Sequence, residues 1–302
     1  MTSATPDKKR LHGMCVISLT PFTAEGEVDT VSLRTLLDFY LHAGVHGVTL
    51  LGIMGEANKL TERERDIVIE TAVAQIAGKV PVVVGCTAAG THQARMFVRH
   101  AAALGADAVM VAPPPKLQNP ALLVEHYTAV GDASDLPLVI QDEPVTSGVV
   151  MAPTVFAQIA DAVPTARYVK IEDTPTIMKV TAIRTATNDR LGLFGGLGGM
   201  YFYEELDRGA IGIMTGFAYP ELLVQVYERF SAGDHARARE LFYHGLPLVR
   251  YEAQLGVTGV AIRKQVYQMR GAIASAFVRP PAPGVDAKTL AELRDLVDFL
   301  QL

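Results

Sequence analysis

The sequence predicts an α/β protein, a (β/α)8 TIM barrel with an appended C-terminal helical layer. Eight short apolar segments alternate with longer segments whose apolar residues recur at helical spacing. The short segments are rich in Val, Ile, Leu and Met without strict alternation, which is typical of strands that are covered on both faces. The eighth segment ends near Thr215, at the chain length where a barrel of this class closes.

The predicted strands are the short apolar segments themselves. In chain order they are Met14–Leu19, Gly47–Leu51, Val80–Gly85, Ala108–Ala112, Leu136–Gln141, Arg167–Ile171, Leu191–Gly195 and Ala210–Thr215.

The predicted helices fill the intervals between the strands. The first carries apolar residues at helical spacing, and the second opens with the Thr-Glu-Arg-Glu pattern of a capping box at residue 61. Gly44, Gly78 and Gly105 follow three of these helices, where glycine provides the left-handed cap. The predicted ranges are Thr30–Ala43, Thr61–Ala77, Thr91–Leu104, Pro120–Ser134, Pro153–Val163, Thr176–Thr187 and Gly198–Arg208.

The end of the chain reads as four further helices. Because their apolar faces need the barrel wall for burial, we predict one structural unit with a barrel over residues 1–218 and helices packed on it over 219–302. The predicted ranges are Pro220–Ser231, Asp234–Leu255, Thr258–Gly271 and Asp286–Leu302.

Composition narrows the class of protein. The 302 residues are 49% hydrophobic and 20% charged, with a net charge of −5, so neither nucleic acid nor an anionic membrane is an expected partner. No run of about 18 apolar residues is present, so we expect no membrane span. Cys15 and Cys86 are too few for a disulfide framework and are expected to be buried thiols. These features favour a cytoplasmic protein.

Lys170 is the candidate nucleophile. It lies near the end of the predicted sixth strand, in Arg-Tyr-Val-Lys-Ile-Glu-Asp. Lysine is rarely buried without a partner or a function, and an amine held in an apolar pocket loses proton affinity. Such an amine attacks a ketone and forms a Schiff base. The alternative is a structural lysine that pairs with Glu172, Asp142 or another carboxylate.

Other candidates follow from position, because active sites of these barrels lie at the C-terminal ends of the strands. Acidic pairs at residues 142–143 and 172–173 allow a divalent-ion site, although the seventh strand ends in glycines instead of a third carboxylate. We therefore expect no metal. The glycine run over residues 195–199 allows a phosphate cradle, but close approach of a substrate is the better interpretation because no basic residue accompanies it.

The order of motifs along the chain resembles a known family, that of dihydrodipicolinate synthase and N-acetylneuraminate lyase, which are pyruvate-type class I aldolases. The resemblance covers nearly the whole chain. The motifs are Leu19-Thr20-Pro21-Phe22, Gly26-Glu27-Val28-Asp29, Gly52-x-x-Gly55-Glu56, Pro144-x-x-Ser147-Gly148 and Lys170.

The resemblance implies that Lys170 is the Schiff-base lysine and that backbone N–H groups at Ile53 and Met54 hold the carboxylate of a 2-keto acid. It also implies a homotetramer, a small-molecule keto acid as partner, and no cofactor beyond the covalent imine. We predict Lys170 and Gln141 as catalytic residues. The predicted substrate-binding residues are Ile53, Met54, Glu56, Thr146, Glu172, Gly196 and Met214.

The chain departs from the family pattern at four places. Residues 53 and 54 lack the usual hydroxyl groups, the tyrosine that follows strand four is replaced by Pro114-Pro115, and Thr146 stands where the synthases have an arginine. Gln141 replaces the acid–base tyrosine on strand five, and glutamine cannot titrate, so the usual proton relay is absent.

Within the family, the pattern is most similar to 2-keto-3-deoxy sugar acid dehydratases of the L-2-keto-3-deoxyarabonate type. This similarity predicts a lyase, a dehydratase or aldolase, that acts on pyruvate or a 2-keto-3-deoxy sugar acid. Glu56, Glu143, Glu172 or a water held by Gln141 remain open as the base. The alternatives are a 4-hydroxy-tetrahydrodipicolinate synthase-like activity and a barrel that binds a keto acid without turnover.

Overall fold

The structure, a computed structural model, describes residues 10–253 and 257–302. Within these residues eight parallel strands close into a barrel in sequence order, with the last strand paired to the first. This confirms the predicted fold class. The strands are β1 Gly13–Ile17, β2 Gly47–Leu50, β3 Val82–Gly85, β4 Ala108–Val111, β5 Leu138–Asp142, β6 Ala166–Ile171, β7 Gly192–Gly195 and β8 Gly212–Thr215.

Helices lie outside the barrel and bury one face against the strands. The Thr61 side chain accepts a hydrogen bond from the Glu64 backbone N–H, and the Glu64 side chain accepts one from the Thr61 backbone N–H. These two bonds confirm the capping box at the second helix. The helices are α1 Thr30–His42, α2 Glu62–Ile76, α3 Thr91–Ala103, α4 Pro120–Gly131, α5 Pro144–Ser147, α6 Pro153–Ala162, α7 Thr176–Thr187, α8 Phe202–Asp207, α9 Pro220–Ser231, α10 His235–Glu252, α11 Val257–Met269 and α12 Ala287–Leu300.

Two local features differ from the predicted elements. The helix predicted from Gly198 begins only at Phe202, because Gly198 and Gly199 have φ of 70° and 99° and form a separate turn. The short helix α5 lies in a stretch for which no helix is predicted. The predicted helix end at Leu255 lies outside the described residues.

The parallel register sets which strand-end residues become neighbours. Gln141 on β5 pairs with Lys170 on β6, and Lys170 pairs with Phe194 on β7. Residues in register on adjacent strands project to the same side of the sheet. The register therefore brings Gln141 and Lys170 together at the top of the barrel.

The C-terminal helices pack on the barrel, as predicted from their apolar faces. Helix α9 lies against β1, which makes it the eighth helix of the barrel wall, and α10 packs on α9 and α12. A buried ion pair of Lys264 with Glu56 joins the tail to the loop after β2, and a partly buried pair of Arg279 with Glu64 joins it to α2. The boundary between residues 218 and 219 stays a prediction. No helix in the described part of the chain is long and apolar enough to span a membrane.

Candidate active site

Lys170 lies at the C-terminal end of β6, inside the barrel, with only 5% of its surface exposed. Its Nζ is 2.8 Å from Glu172 Oε2. The same oxygen accepts a hydrogen bond of 3.0 Å from Gln141 Nε2. One carboxylate oxygen therefore joins the candidate nucleophile to the residue that replaces the acid–base tyrosine.

Of the two carboxylates that the sequence analysis names as partners for Lys170, the structure places Glu172 beside it. Asp142 is fully buried and pairs with Lys179 on α7, at 2.7 Å, and Lys179 also binds Asp173 at 2.6 Å. Burial raises the pKa of Asp142 to about 7, and Lys179 opposes this shift. These two aspartates thus stabilise the wall between the barrel and α7.

The divalent-ion alternative finds no support in this arrangement. Asp142 and Asp173 are held by Lys179, while Glu172 faces Lys170. No group of three His, Cys, Asp or Glu side chains in the described ranges is placed to hold a metal ion.

A small inner cavity of about 110 Å³ opens in front of Lys170. It is continuous with an outer cavity of about 460 Å³, and the two share Gly52, Ile53, Met110, Glu143 and Thr146. Gln141 lines the outer cavity. The predicted site residues that line the inner cavity are Ile53, Met54, Thr146, Lys170, Glu172 and Met214.

The loop after β2 forms one wall of the inner cavity as a short helical turn. The Gly55 and Glu56 N–H groups are used within the turn, bonding to Gly52 O and Ile53 O at 3.0 Å each. A Cβ on Gly52 would lie 3.2 Å from the Ile17 side chain, so this position is tight against β1. The side chains of Ile53 and Met54 carry no hydrogen-bond donor. Polar contacts from this loop to a ligand must therefore come from the backbone.

Glu56, a predicted substrate-binding residue and candidate base, does not line the inner cavity. Its carboxylate is 2% exposed and bonds to Lys264 at 2.7 Å, to Lys59 at 2.9 Å and to the Arg279 backbone N–H at 3.1 Å. Held by two lysines, Glu56 ties the tail to the barrel mouth. The structure thus places it in a different role from the one predicted.

Gly196 also lies outside the cavity lining, although the sequence places it in the substrate site. A Cβ at this position would collide with the Glu172 side chain. The glycine therefore makes room for the carboxylate beside Lys170.

Glu143 lines both cavities, but its carboxylate is already used locally. Both oxygens accept from the Thr146 backbone N–H, at 2.9 and 3.1 Å, and so cap α5. This bond also holds Thr146 at the mouth of the inner cavity.

Two buried residues at the mouth were not predicted as site residues, Arg263 on α11 and its partner Glu252 on α10. Arg263 is 5% exposed and lines the inner cavity beside Met54 and Gly198. The signal in the sequence is the charged pair Arg263-Lys264 within an otherwise uncharged helical segment. Charged residues at such positions are almost never fully buried unless they are paired.

A further buried carboxyl group lies behind β7. Glu205 on α8 fills the space that a Cβ on Gly195 would occupy. Burial raises its pKa to about 8, so the group is largely protonated at neutral pH. The glycine run at residues 195–199 thus serves packing around two glutamates, Glu205 and Glu172.

Comparison with known proteins identifies the family of the chain. The family model described as the dihydrodipicolinate synthetase family matches residues 10–299. The chain is 30% identical to the L-2-keto-3-deoxyarabonate dehydratase of Azospirillum brasilense, over 97% of this chain and 95% of the relative. It is 32% identical to the 4-hydroxy-tetrahydrodipicolinate synthase of Syntrophobacter fumaroxidans, over 94% and 97%.

A solved structure gives the same result at the level of the fold. The dihydrodipicolinate synthase of Rhodopseudomonas palustris is 36% identical, with a TM-score of 0.91, covering 96% of this chain and 98% of that one. The family match spans the barrel, the lysine on β6 and the C-terminal helices alike. The chain therefore belongs to the dihydrodipicolinate synthetase family and is a lyase of that family.

Proposed function

We propose that this protein is a class I lyase that forms a Schiff base through Lys170 and dehydrates a 2-keto-3-deoxy sugar acid. The observation that carries the proposal is the contact of one Glu172 oxygen with both Lys170 and Gln141. A buried amine, an adjacent base and a non-titrating amide suit an elimination better than a condensation that needs a tyrosine relay.

The reaction begins at the amine. Glu172 accepts the proton of the Lys170 ammonium, and the neutral amine attacks C2 of the keto acid. Glu172 returns this proton to the hydroxyl group of the adduct, which leaves as water and gives a C=N⁺ iminium. The iminium makes the C3 protons acidic, and Glu172 is again a carboxylate. An iminium is an electron sink, so the protein has only to supply a base at C3 and an acid at C4.

Glu172 is the base that fits this step. Of the candidates, Glu56 is held by two lysines and Glu143 caps α5, whereas Glu172 contacts the nucleophile itself. Removal of the C3 proton gives an enamine, whose electrons expel hydroxide from C4. The protonated carboxyl group returns its proton to the leaving oxygen, so that water departs. Hydrolysis of the imine then releases the unsaturated acid and the free amine.

Gln141 orients the base without exchanging protons. Its Nε2 donates to the Glu172 oxygen that faces Lys170, which holds the carboxylate in one orientation. Backbone N–H groups at Ile53 and Met54 bind the substrate's carboxylate in this proposal. The cavity of about 110 Å³ in front of Lys170 accommodates the keto-acid end, and the outer cavity receives the rest of a sugar acid.

The similarity to 4-hydroxy-tetrahydrodipicolinate synthases supports a second candidate, condensation of pyruvate with an aldehyde. The side chains at Gln141 and Thr146 count against it, because neither titrates and neither carries a positive charge for a second carboxylate. Turnover of aspartate semialdehyde with pyruvate by the wild-type protein would favour this candidate over the dehydratase.

The test of the proposal is turnover on a panel of 2-keto-3-deoxy pentonates and hexonates, followed by mass spectrometry of the product. We expect loss of one water from at least one acid, and none with the Lys170→Arg variant. That variant keeps the charge beside Glu172 but forms no imine under these conditions. If the wild-type protein binds the acids and yields no dehydrated product, the protein is a barrel that binds a keto acid without turnover.

We also infer that the protein works without a cofactor, as a homotetramer in the cytoplasm. Family membership supports the first two points, and the two buried free thiols Cys15 and Cys86 are compatible with a reducing compartment. Light scattering on the purified protein tests the assembly, and retention of activity after dialysis against a chelator tests the absence of a metal requirement.

A further inference from the structure

The guanidinium of Arg263 is an incompletely satisfied cation in the wall of the inner cavity. Its Nη1 lies 3.1 Å from Met54 Sδ, a weak acceptor. Its Nε is 3.4 Å from Glu252 Oε2, an ion-pair distance that lacks hydrogen-bond alignment. Nη2 has no acceptor among residues 10–253 and 257–302. A buried guanidinium normally has its donors satisfied, because an unpaired one is costly.

The neighbouring carboxylate neutralises this cation only in part. Glu252 is fully buried and one of its oxygens already accepts from the Ala218 N–H at 3.0 Å. Burial raises the pKa of Glu252 to about 7, with Arg263 opposing the shift. Burial thus disfavours the ionised form of Glu252, so this carboxylate neutralises Arg263 less fully than a solvated one would.

Arg263 lies in the wall of the cavity in which a ligand of Lys170 would lie. Nη2 is buried beside Gly198, 3.4 Å from the position that a Cβ there would take and that the Ala253 Cβ already crowds at 2.3 Å. Arg263 lines the same inner cavity as Lys170, and it reaches Met54 in the loop whose side chains offer no donor. The loop thus offers no side-chain hydrogen-bond donor to a ligand, whereas Arg263 beside it has donors that are not in use.

We propose that Arg263 joins the backbone N–H groups of Ile53 and Met54 in binding the carboxylate of the 2-keto acid, with its guanidinium donating to a carboxylate oxygen while Lys170 holds C2 as the imine. This assignment rests on the proposed function, since it takes the 2-keto acid as the ligand. The C-terminal helical layer then supplies a substrate-binding residue to the barrel. Planar, charge-assisted donation to a carboxylate is the interaction for which a guanidinium is best suited.

The test compares pyruvate with hydroxyacetone, a ketone of similar size without a carboxylate. Two measurements are made on wild-type protein and on Arg263→Met and Arg263→Lys. One is the ligand-induced rise in melting temperature, and the other is the ligand concentration that gives half-maximal borohydride-trapped adduct on Lys170. Arg270→Met is the matched control, because Arg270 follows the same helix and pairs with Glu221 outside the cavity.

For Arg263→Met we expect pyruvate to bind about 10- to 100-fold more weakly, as for loss of a hydrogen bond between charged groups. Trapping of hydroxyacetone stays within about twofold of wild type, since the amine is untouched. Arg263→Lys keeps the positive charge and loses the planar guanidinium, so we expect its affinity for pyruvate to lie between those of wild type and Arg263→Met. Arg270→Met matches wild type with both compounds. If Arg263→Met does not fold, Arg263→Lys replaces it in the comparison. We then expect Arg263→Lys to bind pyruvate more weakly than wild type and to bind hydroxyacetone equally well.

Unchanged pyruvate binding in a folded Arg263 variant would overturn the assignment, as would equal weakening of both compounds, which indicates a structural role. A loss seen only with longer sugar acids would also overturn it, by moving Arg263 to the far end of the substrate. A failure of the proposed function is distinguishable from a failure of the Arg263 assignment. If pyruvate stabilises the wild type and not Arg263→Met, yet no adduct forms on Lys170, Arg263 binds the carboxylate and the Schiff base is wrong.

Discussion

A single oxygen of Glu172 makes the two contacts that define the site, with Lys170 at 2.8 Å and with Gln141 at 3.0 Å. Gln141 replaces a titrating tyrosine, so the proton has to move through another group. Glu172 is the carboxylate placed within hydrogen-bond reach of the nucleophile. At the scale of the residue, the chemistry depends on this carboxylate.

The variant Glu172→Gln keeps the shape of the side chain and removes the base. We expect dehydration to slow by about 10²- to 10⁴-fold, the usual contribution of a general base. Borohydride trapping of pyruvate should persist at saturating ligand, since the amine remains. Asp173→Asn is the matched control, because Asp173 pairs with Lys179 instead of Lys170. A Glu172→Gln enzyme of near wild-type turnover would show that the base is another group.

At this scale the importance of Lys170 can be predicted from the sequence, but the residues that surround it can be predicted only in part. The lysine is recognisable because a strand-end lysine follows apolar residues in the sequence. The contacts that hold Glu56 cannot be predicted locally, since its partner Lys264 lies 208 residues away. Arg263 was missed for a related reason, because Met54 lies 209 residues from it. Such contacts depend on how the last helices pack on the barrel mouth.

At the scale of the element, strand β7 and its glycines position the base. Gly196 leaves the space that the Glu172 side chain occupies, and Gly195 leaves the space for Glu205. Glycine is the residue that permits such close approach of a side chain to the backbone. The sequence predicted the position of this run and close substrate approach as its purpose, while the structure shows close approach of the protein's own glutamates.

Gly196→Ala tests this role of the strand. The added methyl group would displace Glu172 from Lys170, so we expect kcat to fall by at least about tenfold while overpacking costs about 1–3 kcal/mol of stability. Gly90→Ala is the control, because a Cβ there meets no atom within 4 Å. Unchanged kcat in a folded Gly196→Ala enzyme would show that the exact position of Glu172 is unimportant.

At the scale of the whole molecule, the elements themselves were predictable and some boundaries were not. Strands covered on both faces and capped helices leave clear patterns, and the closed barrel confirms them. The helix predicted from Gly198 failed because two glycines with positive φ end the preceding turn there. Left-handed backbone is a local conformation that an apolar pattern does not encode.

The buried carboxyl group of Glu205 makes the stability of the whole chain depend on pH. Its pKa is raised from 4.5 to about 8 in the folded state, so the unfolded chain releases this proton at lower pH. The folded state therefore loses stability as pH rises from about 4.5 to about 8. Burial is the largest cause of the raised pKa, and it outweighs the hydrogen bond with Thr176, which acts in the opposite direction.

Glu205→Gln should remove this contribution. We expect the variant to match wild type in urea unfolding at pH 5 and to exceed it by about 2–5 kcal/mol at pH 8. Glu228→Gln, at an exposed position on α9, should leave the pH dependence as it is in wild type. A difference between Glu205→Gln and wild type that does not grow with pH would show that Glu205 is ionised in the folded protein.

The central claim is that Lys170 is the nucleophile that holds a 2-keto acid as an imine. Its most direct test is borohydride reduction of the wild-type protein with pyruvate, followed by peptide mass spectrometry. We predict one reduced pyruvate per chain, located on Lys170, and an unmodified Lys264, since that lysine is bound to Glu56 outside the inner cavity. An adduct on a different lysine, or a folded protein that carries none with pyruvate or any longer 2-keto acid, would contradict the claim.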